Sequence, residues 1–227
     1  MPVSSTLLVV AKRPAAGHTK TRLCPPLTPE QSASLYECFL RDTLDVMRAV
    51  GEVERVVCYL TEESRGYFRK IAPDMQLRRQ HGGSLGERLN HLLTESLMGG
   101  AERAVVMDSD SPTLPCEYIS RAFGMLDEAD VVLGPTHDGG YYLIGIKQPQ
   151  PRLLREVQMS TPHVLHDTLR LANSLRLTVG QLPRWYDIDT GNDLELLEQE
   201  LLGKSHNGNA PATREWLLRN RRAASAG

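Results

Sequence analysis

The chain has 227 residues, which is long enough for one α/β domain with a sizeable core and too short for two comfortable domains. Its 26 basic and 28 acidic residues nearly cancel, so the overall charge gives no reason to expect binding to nucleic acid or to an anionic membrane. A small molecule is the expected partner.

Cysteine usage and the lengths of the apolar runs indicate the compartment. The four cysteines lie far apart and form no C-x-x-C pair, as expected for reduced thiols that pack as small hydrophobes. The N-terminal apolar run is short, and no segment approaches the length of a membrane span. We therefore expect a cytoplasmic protein with no membrane partner.

Short runs rich in Val, Leu and Ile alternate along the chain with amphipathic helical patterns. Strands are predicted over residues 7–11, 55–60, 75–79, 104–107, 130–133, 141–146 and 177–182. The first helix is predicted to begin after a Thr28 cap, with Pro29 in its first turn and Gln31 completing a capping box. Further helices are predicted over residues 85–98, 115–126, 162–175 and 193–202. This alternation is typical of an α/β fold with a mostly parallel sheet.

The composition changes near the C-terminus. We predict one domain over residues 1–202, followed by a polar linker and a basic tail over residues 203–227. The tail holds at best a short helix, which Trp216 and the two leucines after it could dock onto the domain. A loose tail is the favoured alternative.

A basic loop follows the first predicted strand. The stretch KRPAAGHTKTRL, residues 12–23, carries around Gly17 the four cations Lys12, Arg13, Lys20 and Arg22. Lysine supplies a point charge and arginine a fork of donors, so such a loop suits the phosphates of a nucleotide, although its spacing matches neither the P-loop nor the dinucleotide fingerprint. The alternative is a solvated basic loop.

Two acidic residues follow the fourth predicted strand. Asp108 and Asp110 point the same way if the strand continues, and their carboxylates then repel each other unless a cation or a proton lies between them. Mg²⁺ or Mn²⁺ prefers carboxylate and phosphate oxygens, so we predict a metal site here that faces the basic loop. The alternative is a turn or a helix cap.

A second acid pair has the same spacing. Asp187 and Asp189 precede the last predicted helix of the domain, which Thr190 or Asn192 can cap. Two separate D-x-D pairs that each follow a strand are harder to explain as turns than one pair. Together they could supply ligands to one metal from two loops.

A glycine-rich turn precedes the sixth predicted strand. It consists of Asp138, Gly139, Gly140 and Tyr141. The two glycines allow either an ordinary tight turn or a close approach of the backbone to a second substrate. The residue pattern leaves both interpretations open.

The stretch QHGGSLGERL, residues 80–89, predicts a loop that opens a helix. Free backbone N–H groups at such a helix start can meet an anion, and Gly86 and Arg88 lie close by. A phosphate or a nucleotide base is the expected ligand there.

Five motifs occur in the order found in one known family. They are K-R-P-x-x-G-x-x-K-T-R-L, G-x-L-G-E-R-L, D-S-D-S-P-T-L, D-G-G-Y-Y-L-I-G and D-I-D-T-x-x-D-L, and the likeness extends over residues 7–202. In this order they resemble the radical-SAM/selenodomain-associated transferases, some of which are called arsenosugar-biosynthesis glycosyltransferases, within the nucleotide-diphospho-sugar transferase superfamily.

The resemblance implies a three-layer α/β/α fold of the glycosyltransferase-A-like type, with a nucleotide and a divalent metal, Mg²⁺ or Mn²⁺, at the carboxyl edge of the sheet. It also implies roles for individual residues. By motif it assigns phosphate binding to Lys12, Lys20 and Arg22. It assigns metal binding to Asp108 and Asp110, with Asp187 or Asp189 completing the shell, and acceptor contacts to Asp138 and the glycines after it.

Three functions remain open. Glycosyl transfer from a nucleotide sugar to a small-molecule acceptor is the leading prediction, because the naming of the resembling family favours it. The alternative is nucleotidylyl transfer, in which an acceptor phosphate attacks the α-phosphate of a nucleoside triphosphate and pyrophosphate leaves. Catalysis is assigned to Lys20, Arg22 and Asp110. A nucleotide-binding module without catalysis is the third possibility.

Overall fold

The computed structural model describes residues 5–203 and 208–225, and the side chains as far as residue 221. Its strands are β1 (Ser5–Ala11), β2 (Glu54–Tyr59), β3 (Gln76–Arg79), β4 (Arg103–Met107), β5 (Val131–Pro135), β6 (Tyr141–Ile146) and β7 (Val179–Gln181). They form one 7-stranded sheet in the order β3-β2-β1-β4-β6-β5-β7. Strand β6 is antiparallel to β4 and β5, and the other pairs are parallel. The predicted mostly parallel sheet is confirmed.

The reversed direction of β6 determines what lies at the functional edge of the sheet. Met107, the last residue of β4, pairs with Leu143 near the start of β6. Pro135, the last residue of β5, pairs with Tyr141. The turn before β6 therefore lies at the same edge as the carboxyl ends of β1, β4 and β5.

Helices cover both faces of the sheet. They are α1 (Pro29–Ala49), α2 (Arg65–Ile71), α3 (Leu85–Met98), α4 (Cys116–Met125), α5 (Pro151–Arg155), α6 (Val164–Ser174), α7 (Gly191–Leu202) and α8 (Pro211–Ser225). One core contains side chains of α1, α2, α4, α7 and α8, and the other contains side chains of α3, α5 and α6. The predicted three-layer α/β/α arrangement is confirmed.

Burial on both faces explains why the strands read as continuous apolar runs rather than as alternating patterns. In β1, Leu7 and Val9 enter the core on one face, whereas Leu8 enters the core on the other. All three side chains are almost fully buried. A central strand of such a sheet has no polar face.

The predicted strands and long helices are present, with ends that differ by a few residues. The capping box of α1 forms as expected: Thr28 Oγ1 accepts a hydrogen bond from Gln31 N at 3.2 Å, and Gln31 Oε1 accepts one from Thr28 N at 2.9 Å. Helices α2 and α5 were not predicted. No helix in the described part of the chain is both long and apolar enough to cross a membrane.

The C-terminal segment differs from the loose tail that the sequence favoured. Helix α8 packs against α1, with Trp216 and Leu217 buried in the core. The buried Asp42 of α1 caps this helix, because its carboxylate accepts hydrogen bonds from Ala212 N at 2.9 Å and from Thr213 N at 2.8 Å. Residues 204–207 of the predicted linker lie outside the described residues.

Candidate functional site

Two adjoining cavities open at the carboxyl edge of the sheet. The first has a volume of about 490 Å³, and its charged lining residues are Lys12, Lys20, Arg22, Arg88, Asp108, Asp110 and Asp189. The second has a volume of about 540 Å³, and its lining includes Arg22, Asp108, Asp110, Asp138, Gly140, Tyr141, Asp187 and Asp189. The cavities share Arg22 and three aspartates. Four cations and three aspartates thus line the first cavity, whereas one cation and five aspartates line the second.

Lys20 lies between the two acid pairs. Its Nζ is 2.9 Å from Asp110 Oδ1 and 2.8 Å from Asp189 Oδ1, and its side chain is only 6% exposed. Burial opposes the charged ammonium, but the two carboxylates outweigh this effect and raise the pKa of Lys20. Lys20 has a left-handed backbone with φ 49°, and its carbonyl accepts a hydrogen bond from Ser32 Oγ at 2.7 Å. The basic loop therefore meets the acids directly.

Arg22 contacts Asp189, one of the two acids that pair with Lys20, from the solvent side. Its Nη1 lies 3.2 Å from Asp189 Oδ2, while its side chain is 69% exposed. Most of its donors therefore remain open to an anionic ligand. Burial acts against ionisation of Asp189, but the charges of Lys20, Arg22 and Lys12 lower the pKa of its carboxyl.

Asp108 is held within its own turn. Its Oδ1 accepts a hydrogen bond from Asp110 N at 3.1 Å, and Ile188 N donates to the carbonyl of Asp110 at 3.0 Å, which ties the two acid-bearing loops together. Burial raises the pKa of the Asp108 carboxyl well above its usual value, and the charges of Asp110 and Asp187 add to the effect. The two acids of this pair thus have different surroundings.

Asp187 faces other carboxylates. Burial, followed by the charges of Asp138 and Asp189, raises the pKa of Asp187 from 3.8 to about 6. Asp138 holds the turn before β6, because its Oδ1 accepts hydrogen bonds from Thr136 Oγ1 at 2.5 Å and from Gly140 N at 3.1 Å. The wall between the two acid pairs therefore carries more negative charge than Lys20 alone balances.

A hydrogen-bonded chain fixes the basic loop to the first acid pair. Tyr36 Oη accepts a hydrogen bond from Lys12 N at 3.2 Å and lies 2.8 Å from Ser109 Oγ. Ser109 Oγ donates to the carbonyl of Val10 at 3.1 Å, so its one proton is used there and the Tyr36 hydroxyl donates to Ser109. Tyr36 is also one of the buried residues by which α1 packs against the first core. Its position among buried side chains at the strand end gives it this second role.

Four predicted site residues line neither cavity: Arg13, Gly17, Gly86 and Gly139. Arg13 Cζ lies 5.9 Å from the centre of the Tyr67 ring, beside a separate cavity. Gly17 has φ +73° and lies at an exposed turn of the basic loop. A Cβ on Gly86 would lie 2.0 Å from the carbonyl oxygen of Leu154, so this glycine permits close packing of α3 on α5. Its role as a ligand residue stays a prediction.

Gly139 has a packing role of the same kind. Its φ is +94°, and a Cβ there would lie 2.0 Å from the carbonyl oxygen of Pro162. Its own carbonyl accepts a hydrogen bond from Leu165 N at 2.9 Å. The turn before β6 is thereby fixed against the start of α6, while Gly140 and Tyr141 line the second cavity.

The sequence interpretation did not single out every lining residue, and Gln80 and Ser160 are two examples. Gln80 is buried in the first cavity, where its Nε2 donates to the carbonyl of Cys58 at 2.7 Å. Ser160 has φ 62° and lines both cavities. The left-handed backbone of Ser160 has no sequence signal, whereas Gln80, directly after β3, could have been found from its place at a strand end.

No group of three or more His, Cys, Asp or Glu side chains has the arrangement of a preformed metal site among residues 5–203 and 208–221. The four aspartates predicted as ligands nevertheless line one shared pair of cavities. Whether they bind a metal together stays a prediction.

Comparison with known proteins identifies the family and the fold of the chain. Residues 43–161 match the DUF2064 family, described as uncharacterized proteins conserved in bacteria. The chain is 25% identical over 187 residues to 2-phospho-L-lactate guanylyltransferase from Methanothermobacter thermautotrophicus, covering 78% of this chain and 77% of the relative. The crystal structure of a protein from Desulfovibrio desulfuricans, described as a nucleotide-diphospho-sugar transferase, is 30% identical with a TM-score of 0.89 and covers 96% of each chain.

A more distant structure shares the fold alone. A cytidylyltransferase from Leptospira borgpetersenii is 14% identical with a TM-score of 0.58, covering 96% of this chain and 95% of the other. The guanylyltransferase and the Desulfovibrio protein are both described as transferases, in agreement with the enzyme class predicted from the sequence. Since the family match spans more than half of the chain, this protein belongs to the DUF2064 family, and it has the nucleotide-diphospho-sugar transferase fold.

Proposed function

We propose that the chain is a divalent-metal-dependent nucleotidylyltransferase, which joins a nucleotide from a nucleoside triphosphate to a phosphorylated small-molecule acceptor and releases pyrophosphate. The observation that carries this proposal is the separation of charge across the site. Lys12, Lys20, Arg22 and Arg88 line the first cavity, and acids line the border with the second. Four cations suit the charge of a triphosphate, and the similarity to a guanylyltransferase supports the same chemistry.

A divalent metal fits the acids at this border. Burial raises the pKa of both Asp108 and Asp187, which lie near other carboxylates with one buried ammonium to balance them. Mg²⁺ and Mn²⁺ prefer oxygen ligands and commonly use one or two carboxylates together with substrate phosphates. Asp108 and Asp110 from one loop and Asp187 and Asp189 from the other would hold the ion. When bound, it would offset negative charge on the phosphates.

The other charged and polar side chains bind the two substrates, the nucleotide donor in the first cavity and the acceptor in the second. Lys12, Arg22 and Arg88 hold the phosphate chain in the first cavity and neutralise charge on the departing pyrophosphate. The acceptor lies in the second cavity, beside Asp138 and Tyr141. Its phosphate oxygen forms a bond to the α-phosphorus while the bond from that phosphorus to the β-phosphate bridging oxygen breaks. Arg22 lines both cavities and so adjoins the reacting phosphorus.

Glycosyl transfer is the second candidate. It is supported by the motif order that resembles the arsenosugar-biosynthesis-type glycosyltransferases and by the nucleotide-diphospho-sugar transferase fold. In this reaction the same cations would hold the diphosphate of a nucleotide sugar, and an acceptor hydroxyl would attack the anomeric carbon. The leaving group would then be a nucleoside diphosphate.

The leaving group separates the two reactions. The purified chain is incubated with Mg²⁺ or Mn²⁺, a low-molecular-weight cell extract, and either a panel of nucleoside triphosphates or a panel of nucleotide sugars. We expect pyrophosphate release from a triphosphate, dependent on both metal and extract. Nucleoside diphosphate release from a nucleotide sugar, without pyrophosphate from any triphosphate, would support glycosyl transfer instead.

Two variants tie the activity to the site. Asp110→Asn is expected to abolish metal-dependent turnover, because it removes one carboxylate charge at the border of the cavities. Asp127→Asn serves as its control, since Asp127 forms an exposed ion pair with Arg103 and does not line either cavity. Equal activity of the two variants would remove Asp110 from the catalytic site.

A further inference from the structure

Lys20 bridges two of the carboxylates that are proposed to hold the metal. Its Nζ contacts one oxygen of Asp110 and one oxygen of Asp189, which come from the two different acid pairs. An ammonium and a divalent ion cannot both sit between the same two carboxylate oxygens. We propose that Lys20 and the divalent ion compete for Asp110 and Asp189, and that bound nucleotide phosphates give Lys20 a new partner and so admit the metal. This inference rests on the proposed function.

The backbone of Lys20 is fixed, so the exchange involves its side chain alone. Ser32 Oγ donates to the Lys20 carbonyl at 2.7 Å and lies 3.3 Å from the carbonyl of Thr19. The flexible stem of lysine then carries the ammonium either to the acids or into the first cavity, which Lys20 also lines. Lys12, Arg22 and Arg88 surround the position to which the ammonium would move.

The cost of moving Lys20 decides the order of binding. A buried ammonium that loses its carboxylate partners is strongly destabilised, so metal alone binds weakly. Phosphates in the first cavity replace those partners and remove the cost. Metal and nucleotide therefore favour each other's binding, and linkage requires this coupling to be reciprocal. Without the ammonium, the metal no longer has a competitor.

Mn²⁺ binding in the absence of nucleotide tests the competition. The free ion is measured by electron paramagnetic resonance with the full chain, comparing wild type, Lys20→Met and Lys12→Met. Lys12 lines the same cavity and forms no ion pair with Asp110 or Asp189 in the described part of the chain, so its variant removes an equal charge without removing the competitor.

We expect Lys20→Met to bind Mn²⁺ at least about tenfold more tightly than wild type, within the usual range of coupling between sites. Lys12→Met is expected to differ from wild type by less than about threefold, because it removes a more distant charge that solvent screens. Equal or weaker Mn²⁺ affinity in Lys20→Met overturns the proposal, and so does an equal gain in Lys12→Met.

Wild-type protein with ¹⁵N-labelled lysine supplies a test that does not depend on folding of the methionine variant. The ammonium resonance of Lys20, assigned with Lys20→Arg, is followed at a Mg²⁺ concentration that saturates the nucleotide-loaded protein. It is expected to keep its position with Mg²⁺ alone and to shift with Mg²⁺ and a methylene-bridged nucleoside triphosphate. A shift with Mg²⁺ alone, or none with both, overturns the proposal.

The competition between Lys20 and the metal and the proposed nucleotidylyl reaction can each be disproved without the other. The Mn²⁺ measurement involves neither nucleotide nor turnover, whereas the proposed reaction is judged by pyrophosphate release. A chain that releases pyrophosphate but shows no gain in Mn²⁺ affinity in Lys20→Met retains the function and loses the competition. A chain that shows the gain but releases nucleoside diphosphate retains the competition and loses the nucleotidylyl reaction.

Discussion

At the scale of single residues, the site depends on charges that the fold brings together from distant parts of the sequence. The acid pairs were predictable, because polar residues that follow strands of a parallel sheet gather at one edge. The contact between Lys20 and Asp189 was not, since these residues are 169 positions apart and neither side chain has a local pattern that names its partner. The basic loop predicted phosphate binding, with a solvated loop as the alternative, and neither interpretation includes a direct ion pair with an aspartate.

Tyr36→Phe tests the hydrogen-bonded chain behind the basic loop. The variant leaves Lys12 N without its acceptor and Ser109 Oγ without its donor. We expect the free energy of unfolding, measured by chemical denaturation, to fall by about 1–3 kcal/mol. Tyr67→Phe is the matched control, because the buried Tyr67 hydroxyl has no hydrogen-bond partner and its loss should cost nothing. Equal effects of the two changes would contradict the chain.

Asp187→Asn is expected to stabilise the chain in the presence of a metal chelator while it lowers turnover. The folded state raises the pKa of Asp187 from 3.8 to about 6, so the ionised carboxylate is unfavourable in the folded state. The variant should gain about 1–2 kcal/mol at pH 8, a value reduced for partial solvent screening.

The pH dependence of that gain has a definite sign. Above pH 6 the carboxylate is charged in both states and the folded state bears the full penalty, so the variant keeps its advantage. As the pH falls from 6 to below 3.8, the carboxyl becomes protonated in both states and the advantage disappears. Denaturation curves of both proteins at pH 8 and pH 3.5 measure the difference, and an advantage that is independent of pH would contradict this explanation.

At the scale of elements, the sequence predicted the strands and the long helices, because hydrophobic periodicity and helix caps are visible in the residue order. Strand β6 was found at residues 141–146, but its direction was not predicted, because a strand buried on both faces has the same composition in either direction. Helices α2 and α5 have 7 and 5 residues, which is too short for an amphipathic pattern. Helix α8 was predicted as a loose tail, because the residue that caps it, Asp42, lies 170 positions away from Ala212 in the sequence.

Gly86→Ala tests the close packing of α3 on α5, which shapes the wall behind Arg88. The added Cβ would lie 2.0 Å from the Leu154 carbonyl oxygen, so one of the two helices must move. We expect a loss of about 2 kcal/mol or more in the free energy of unfolding, as for other overpacked sites. Gly124→Ala in α4 is the control: nothing lies within 4 Å of its Cβ position, and alanine should stabilise this helix by up to about 1 kcal/mol.

At the scale of the whole molecule, one sheet carries the loops that line both cavities. The first core, which carries the basic loop and α1, also includes the C-terminal helix. The predicted domain of residues 1–202 therefore lacks part of the core that the full chain has. Its independence from the C-terminal segment stays open to experiment.

A chain that ends at Leu202 is expected to be less stable than the full chain by about 3 kcal/mol or more, because it exposes the surface that Trp216 and Leu217 cover. Thermal denaturation and limited proteolysis measure the loss. A chain that ends at Arg221 is the control, since it keeps both buried side chains. Equal stability of the two shortened chains would show that α8 contributes nothing to the core.

The antiparallel strand β6 also determines which parts of the site the sheet holds in place. It is hydrogen-bonded to both β4 and β5, so the first acid pair and the turn at Asp138 are joined through the centre of the sheet. These acids form a fixed wall. The basic loop and the segment that contains Ser160 lie outside the strands and border both cavities. A ligand that enters either cavity therefore meets acids whose positions are set by strand pairing and not by the ligand itself.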